Sequence, residues 1–221
     1  MVGDIMRLLN YVKIFYGITR LELLELDKND LILVNNKKEK LTYKLKESDI
    51  VTINGKIIEK FPFSYYMYNK PKGILSMISN NSDSYINNIN IDKKLMVAGR
   101  LDKDSEGLLL LSNDPEFINS IMGEKSIIEK EYIVTTFNKI NTEFINKMNG
   151  EFIIRGHLLK PVKIKIIDDY NFSIILTEGI YHQIRKMVIE SGNRVKNLKR
   201  IRIGKYKLND LKTSSIIEIK P

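Results

Sequence analysis

Along the first quarter of the chain, apolar residues recur first at the spacing of a helix and then in short strand-like runs. From Met6 to Phe15 they fall on one helical face, and Gly17 breaks the pattern. Thr19, followed three residues later by Glu22, predicts a capping box that opens a second helix through Leu26. Beyond the polar run Asp27 to Asp30, the segments Leu31 to Val34 and Ile50 to Ile53 read as strands, with turns at Asn35-Asn36 and Asn54-Gly55. Phe61-Pro62-Phe63 marks a junction, because proline restricts the residue before it just where a new pattern starts. Residues 1–59 are therefore expected to form a small helix-plus-strand unit and residues 60–221 a larger one.

In the larger unit, Tyr65 to Tyr68 is a strand-forming run that ends in the turn Asn69-Lys70-Pro71-Lys72-Gly73. Ser79 to Asn90, rich in Asn and Ser, reads as a surface excursion, and Met96 to Ala98 leads into the next motif. Pro115 to Met122 reads as a helix started by Asn113 or Asp114, Tyr132 to Phe137 as a strand, and Thr142 to Met148 as a helix. Lys160 to Ile167 alternates lysine with apolar residues, as in a half-buried strand with a basic outer face. Phe172 to Thr177 is a further strand, and a helix from His182 to Ser191 ends at Gly192-Asn193. Strands outnumber helices and hairpin-like connections dominate. The expected class is α+β with a mixed or largely antiparallel sheet, and no internal repeat is present.

Composition narrows the chemistry. With 43% hydrophobic residues in 221 the chain is globular, and without a run of about 18 apolar residues no membrane span is expected. Met1 to Arg7 includes Asp4 and lacks the apolar region of a secretory signal, so a cytoplasmic location is expected. The absence of cysteine removes disulfides, thiolate metal sites and thiol nucleophiles together. His157 and His182, the two histidines, lack the close spacing of a metal cluster, so neither metal nor cofactor is expected. The net charge of +9 is concentrated: Arg155 to Lys207 carries 13 Lys and Arg against 4 Asp and Glu, while the remainder is neutral. Such a concentration suits a phosphate-bearing partner.

The stretch Gly99-Arg100-Leu101-Asp102-Lys103-Asp104-Ser105-Glu106-Gly107 places one carboxylate between an arginine and a polar turn, directly before the apolar block Leu108 to Leu111. An acid at the mouth of a buried element is well placed for chemistry, although the same pattern also describes structural turns. Four further runs stand in order around it: Asn69 to Gly73, Lys130-Glu131-Tyr132-Ile133-Val134, His182-Gln183-Ile184-Arg185-Lys186-Met187, and Leu198-Lys199-Arg200-Ile201-Arg202-Ile203-Gly204. Together these five motifs resemble the pseudouridine synthases, in the branch that modifies ribosomal RNA and carries a small N-terminal RNA-binding domain. The N-terminal unit resembles the alpha-L RNA-binding domain through Arg7-Leu8, Gly17-Ile18-Thr19-Arg20 and Val34-Asn35. It is degenerate: Thr19-Arg20-Leu21 stands for the usual Ser-Arg-Arg, and Asp30-Leu31 for Gly-Arg.

The resemblance implies an isomerase that breaks the bond from uracil nitrogen 1 to ribose carbon 1′ and rejoins the base through carbon 5, with no cofactor. It makes Asp102 the nucleophile or base. Attack on the sugar, attack on the base and removal of the 2′ proton all remain open. A buried aspartate stays protonated unless a cation lies close, and the resemblance gives that cation as Arg185. Tyr132 would stack on an extruded uracil. Arg100 would bind RNA phosphate or hold the flipped nucleotide, or else pair with Asp104 or Glu106. Lys130, His182, Gln183 and Lys186 are expected on the RNA, with Lys199, Arg200 and Arg202 forming a basic track. The expected partner is ribosomal RNA or a ribosome-assembly intermediate, bound by a monomer. The competing reading is a non-catalytic RNA-binding or ribosome-assembly factor of the same fold. A DNA-binding reading would need a base-reading recognition helix, and none is evident.

Overall fold

The structure, a computed structural model, describes residues 6–78, 86, 95–123 and 126–221. The chain divides into two compact units, Met1–Phe63 and Ser64–Pro221. In the first, α1 (Leu8–Tyr11) runs into a π-helical turn, Val12–Tyr16, and Gly17 ends it in the left-handed conformation at φ 74°. The expected capping box opens α2 (Arg20–Lys28): the Thr19 hydroxyl accepts from the Glu22 N–H, and the Glu22 carboxylate accepts from the Thr19 N–H at 2.7 Å. Strands β1 (Ile32–Val34), β2 (Val51–Ile53) and β3 (Lys56–Ile57) pair antiparallel. Leu8, Val12 and Leu23 from the helices bury against Ile32, Val51 and Ile53 from the strands, which closes a core within this unit. The Phe15 ring lies 5.0 Å from Phe61 and 6.0 Å from Phe63. Those aromatic contacts tie the junction tripeptide into the first unit.

The second unit is built on a nine-stranded mixed sheet. Its elements in chain order are β4 (Tyr65–Lys70), β5 (Met96–Ala98), β6 (Glu106–Ser112), α3 (Pro115–Met122), β7 (Lys130–Thr136) and α4 (Thr142–Met148). They continue with β8 (Ile153–Ile154), β9 (His157–Leu158), β10 (Lys163–Ile166), β11 (Asn171–Leu176), α5 (Gln183–Glu190), β12 (Val195–Ile203), β13 (Tyr206–Lys207) and β14 (Ile216–Glu218). The main path is β10-β11-β7-β12-β6-β4-β14, with β5 added to β6 and β13 to β12, while β8 and β9 form a separate hairpin. Among the described residues every pairing between these strands is antiparallel except β12 with β6, and an isolated bridge joins Ile78 and Ile86 in parallel.

Strand β6 is central because it is apolar on both faces. Leu109 and Leu111 pack with Val134, Phe172 and the α4 and α5 side chains, while Leu108 and Leu110 pack with Phe117 and Ile121 of α3. A strand buried on both sides reads as a continuous apolar run, as Leu108 to Leu111 does. Strand β10 departs from expectation. It is an edge strand exposed along most of its length, with only Ile164 half-buried. Of the expected excursion Ser79 to Asn90, only Ile86 lies within the described residues, and it is fully buried. Among the described residues no helix is long and apolar enough to cross a membrane.

Candidate active site

A cleft of about 840 Å³ opens over one face of the sheet, lined by the Asp102 turn, by Lys130 and Tyr132 of β7, by Arg200 of β12, and by the run Thr177 to Arg185. The register explains how its floor residues Tyr132 and Arg200 come together. Lys70 pairs with Gly107, Gly107 with Arg200, Arg200 with Tyr132, and Tyr132 with Ile174, a row that crosses five strands. All five are buried. Gly107 is required where β6 and β12 run close in parallel: its φ is 109°, and a Cβ there would stand 2.2 Å from the Arg200 carbonyl oxygen.

Asp102 stands at the rim, in the turn between β5 and β6. The Ser105 N–H donates to its carbonyl at 3.1 Å, and the Ser76 hydroxyl bridges the N–H and carbonyl of the preceding Leu101. Its carboxylate meets two cationic or potentially cationic groups from α5. Arg185 Nε lies 3.5 Å from Oδ2, and His182 Nε2 lies 3.3 Å from Oδ1. Arg185 is further held by the Ser105 hydroxyl at 3.0 Å. His182 precedes α5 in the left-handed conformation at φ 57°, which histidine adopts more readily than most residues, and its ring stacks on Tyr181 at 3.8 Å. Sequence reasoning expected His182 on the RNA backbone. The structure places it against the carboxylate.

Beneath the rim, Lys70 is fully buried at the end of β4, and its ammonium donates to the carbonyls of Pro71, Ile74 and Lys103 at 2.8, 2.8 and 3.3 Å. Three N–H donors meet three acceptors, and one of them belongs to the residue after Asp102. The Gly73 N–H also donates to the Lys103 carbonyl, so Lys70 ties the Asn69–Gly73 turn to the Asp102 turn. Burial pushes the Lys70 ammonium down to about 8, against the opposing pull of Asp102, Asp104 and Glu106. Sequence reasoning quoted Lys70 as part of a motif and gave it no role. A lysine inside a strand-to-turn pattern was the signal available.

The expected basic track of Lys199, Arg200 and Arg202 is redirected at Arg200 and Arg202. Arg200 is 1% exposed: Nε donates to the Leu108 carbonyl at 2.8 Å, Nη2 to the Gly99 carbonyl, and Nη1 to the Tyr132 hydroxyl at 3.4 Å. A β-bulge between Arg200 and Arg202 sets Arg202 opposite Glu131. One extra residue reverses the side on which the following side chain emerges, so Arg202 pairs on the outer face with Glu131 at 2.8 Å and Glu129 at 3.0 Å. Lys199 pairs in register with Ile133, on the side opposite Tyr132 and Arg200. Two more expected RNA contacts are drawn inward. The Gln183 amide is spent on Glu178 at 3.0 Å and on the Ile180 N–H at 3.2 Å. Lys130 is buried beside Arg200, and both burial and that guanidinium lower its ammonium below the usual lysine range. Arg100 is exposed on the cleft rim, and among the described residues it forms no ion pair with Asp104 or Glu106. Lys186 lies 5.7 Å from the Tyr181 ring centre.

A sequence model of RNA pseudouridylate synthase matches residues 64–190, more than half of the chain. The chain belongs to the RNA pseudouridylate synthase family. Similar proteins within this family include the dual-specificity RNA pseudouridine synthase RluF of Escherichia coli (strain K12), 34% identical over 184 residues. That match covers 81% of this chain and 63% of RluF, so the chain spans under two thirds of that relative's length. The ribosomal small subunit pseudouridine synthase A of Pasteurella multocida is 31% identical over 93% of this chain and 91% of its own. A pseudouridylate synthase crystal structure superposes with a TM-score of 0.67 at 28% identity, covering 97% of this chain and 96% of the other. The family match begins at Ser64, the first residue of the second compact unit.

Proposed function

We propose that this chain is an RNA pseudouridine synthase that isomerises a uridine of ribosomal RNA, with the target base extruded into the cleft between Asp102 and Tyr132. The observation that carries the reading is the Asp102 carboxylate, held by Arg185 and His182 at the rim of a cleft whose floor is Tyr132. The reaction exchanges one bond for another: nitrogen 1 of uracil leaves ribose carbon 1′, carbon 5 takes its place, carbon 5 loses a proton and nitrogen 1 gains one. Atoms and electrons balance within the nucleotide, so the site need supply only a carboxylate, a surface for the detached base and a favourable field.

Each group has a place in that scheme. Asp102 is the nucleophile or base, with the Arg185 guanidinium beside its carboxylate. Tyr132 offers a ring face to the uracil, and Arg200 fixes that ring from below through its hydroxyl. Lys130 and Arg200 set positive charge under the cleft, where a departing uracil carries negative charge. Arg100 at the rim meets the backbone or the space left by the flipped nucleotide. Residues 1–63 serve as an accessory RNA-binding unit. The similarity to synthases named for RNA and for the ribosomal small subunit supports an RNA substrate.

The test is a pseudouridine map of total RNA from cells with and without this gene, complemented by the wild type or by Asp102→Asn. One site is expected to vanish with the gene and return only with the wild type, while purified Asp102→Asn still binds the RNA. Identical maps would give the lead to the non-catalytic binding factor.

A further inference from the structure

The cleft lining includes an aromatic residue that the proposed isomerisation does not use. Tyr181 is 60% exposed, although its ring is fixed: one face stacks on His182, with ring centres 3.8 Å apart and planes 16° from parallel. His182 is in turn held against Asp102 at 3.3 Å, so the Tyr181 ring is coupled to the site by two contacts. The rest of the residue is largely open to solvent.

Two cations lie over this ring. Lys186 Nζ lies 5.7 Å from its centre, one turn along α5, and the Arg155 guanidinium lies 5.6 Å from it. Arg155 is positioned by the β8–β9 hairpin, whose tip residues Arg155 and Gly156 take φ values of 53° and 76°. Two consecutive left-handed residues form the tight two-residue turn of a hairpin, which projects the Arg155 side chain from a rigid loop. A fixed, exposed aromatic ring with cations beside it is the arrangement by which proteins hold an unpaired nucleobase and its phosphate. A solvated surface tyrosine would have no need of a left-handed residue and a histidine stack to hold it.

We propose that Tyr181, with Arg155 and Lys186, is a stacking platform for an unpaired RNA base next to the target uridine, a subsite distinct from the uracil pocket over Tyr132. The assignment rests on the RNA reading above, since the strip Asp102, His182, Tyr181 runs from the rim outward and sets the platform beside the flipped nucleotide. Stacking on a single aromatic residue accepts any base, so the platform adds affinity and orientation and leaves sequence choice elsewhere.

The test is a fluorescence titration of the full chain with an RNA hairpin that carries uridines and one 2-aminopurine in its loop. Wild type and Tyr181→Phe are expected to quench the probe on binding. Tyr181→Ala and Tyr181→Leu are expected to lose the quench and to bind about tenfold more weakly. Melting curves identify any variant that fails to fold, and Tyr181→Leu keeps apolar bulk at the site without a ring. Folded Tyr181 variants that bind and quench like the wild type would overturn the platform. The quench needs no turnover. Failure of the isomerase reading would instead appear as no conversion by any variant while the Tyr181-dependent quench persists.

Discussion

Lys70 shows how much one buried side chain can organise. Its ammonium holds three carbonyls around the turn that carries Asp102, and burial lowers its affinity for a proton to about 8. The unfolded lysine titrates near 10.4, so between pH 8 and about 10 the unfolded chain binds more protons than the folded one. Stability contributed at this residue therefore rises with pH across that window, and below pH 8 the cost of burying the charge is present in full. A Lys70→Met variant is expected to lack this rise when urea unfolding is compared at pH 7.5 and 9.5. It is also expected to lose activity, because three carbonyls lose their donors and the Asp102 turn loosens. Of the site, Asp102, Tyr132 and Arg185 were visible in the chain as motif residues. The structural parts played by Lys70, His182 and Arg200 were not, because a basic residue in a motif looks the same whether it faces RNA or a carbonyl.

The elements explain how those residues come together. Helix α5 buries Ile184, Met187 and Val188 against the sheet, and this packing sets His182 and Arg185 toward the Asp102 turn. Met187→Ala is expected to destabilise the protein by about 2–5 kcal/mol, read as a lower urea midpoint with an unchanged slope. Strand β12 teaches a different lesson. Alternation alone would put Arg200 and Arg202 on one face, and the bulge between them sends Arg200 to the cleft and Arg202 to an outer ion-pair network. Most helices and strands were legible from periodicity and caps, down to the Thr19–Glu22 box and the Asp114 cap, whose side chain accepts from Glu116. Strands β5 and β14 were not read as strands, nor were the two-residue β3, β8, β9 and β13. Segments that short have no period, and they exist because a neighbouring strand offers hydrogen bonds.

Taken as a molecule, the protein has its apolar clusters sorted by unit: one lies within residues 6–58, and two lie within 65–219. Residues 64–221 expressed alone are therefore expected to unfold cooperatively, in a circular-dichroism melt, as they do in the full chain. The charge pattern is also redistributed by the fold. The excess of +9 between Arg155 and Lys207 suggests one continuous basic surface, yet Arg200 is buried, and Arg202 and Lys163 are tied to Glu129 or Glu131. What remains beside the cleft is a smaller set, with Arg155 and Lys186 at Tyr181 and Arg100 at the rim. Chain order was enough to recognise the α+β class, the caps, the apolar β6 strand and the motifs that carry family membership, because these depend on local spacing and residue type. Which basic residue faces the cleft, which is buried beneath it and which is neutralised behind it depends on register, on one bulge and on a parallel strand pair. Those pairings join residues as far as 101 positions apart, as Arg200 and Gly99 are, and no local pattern encodes them.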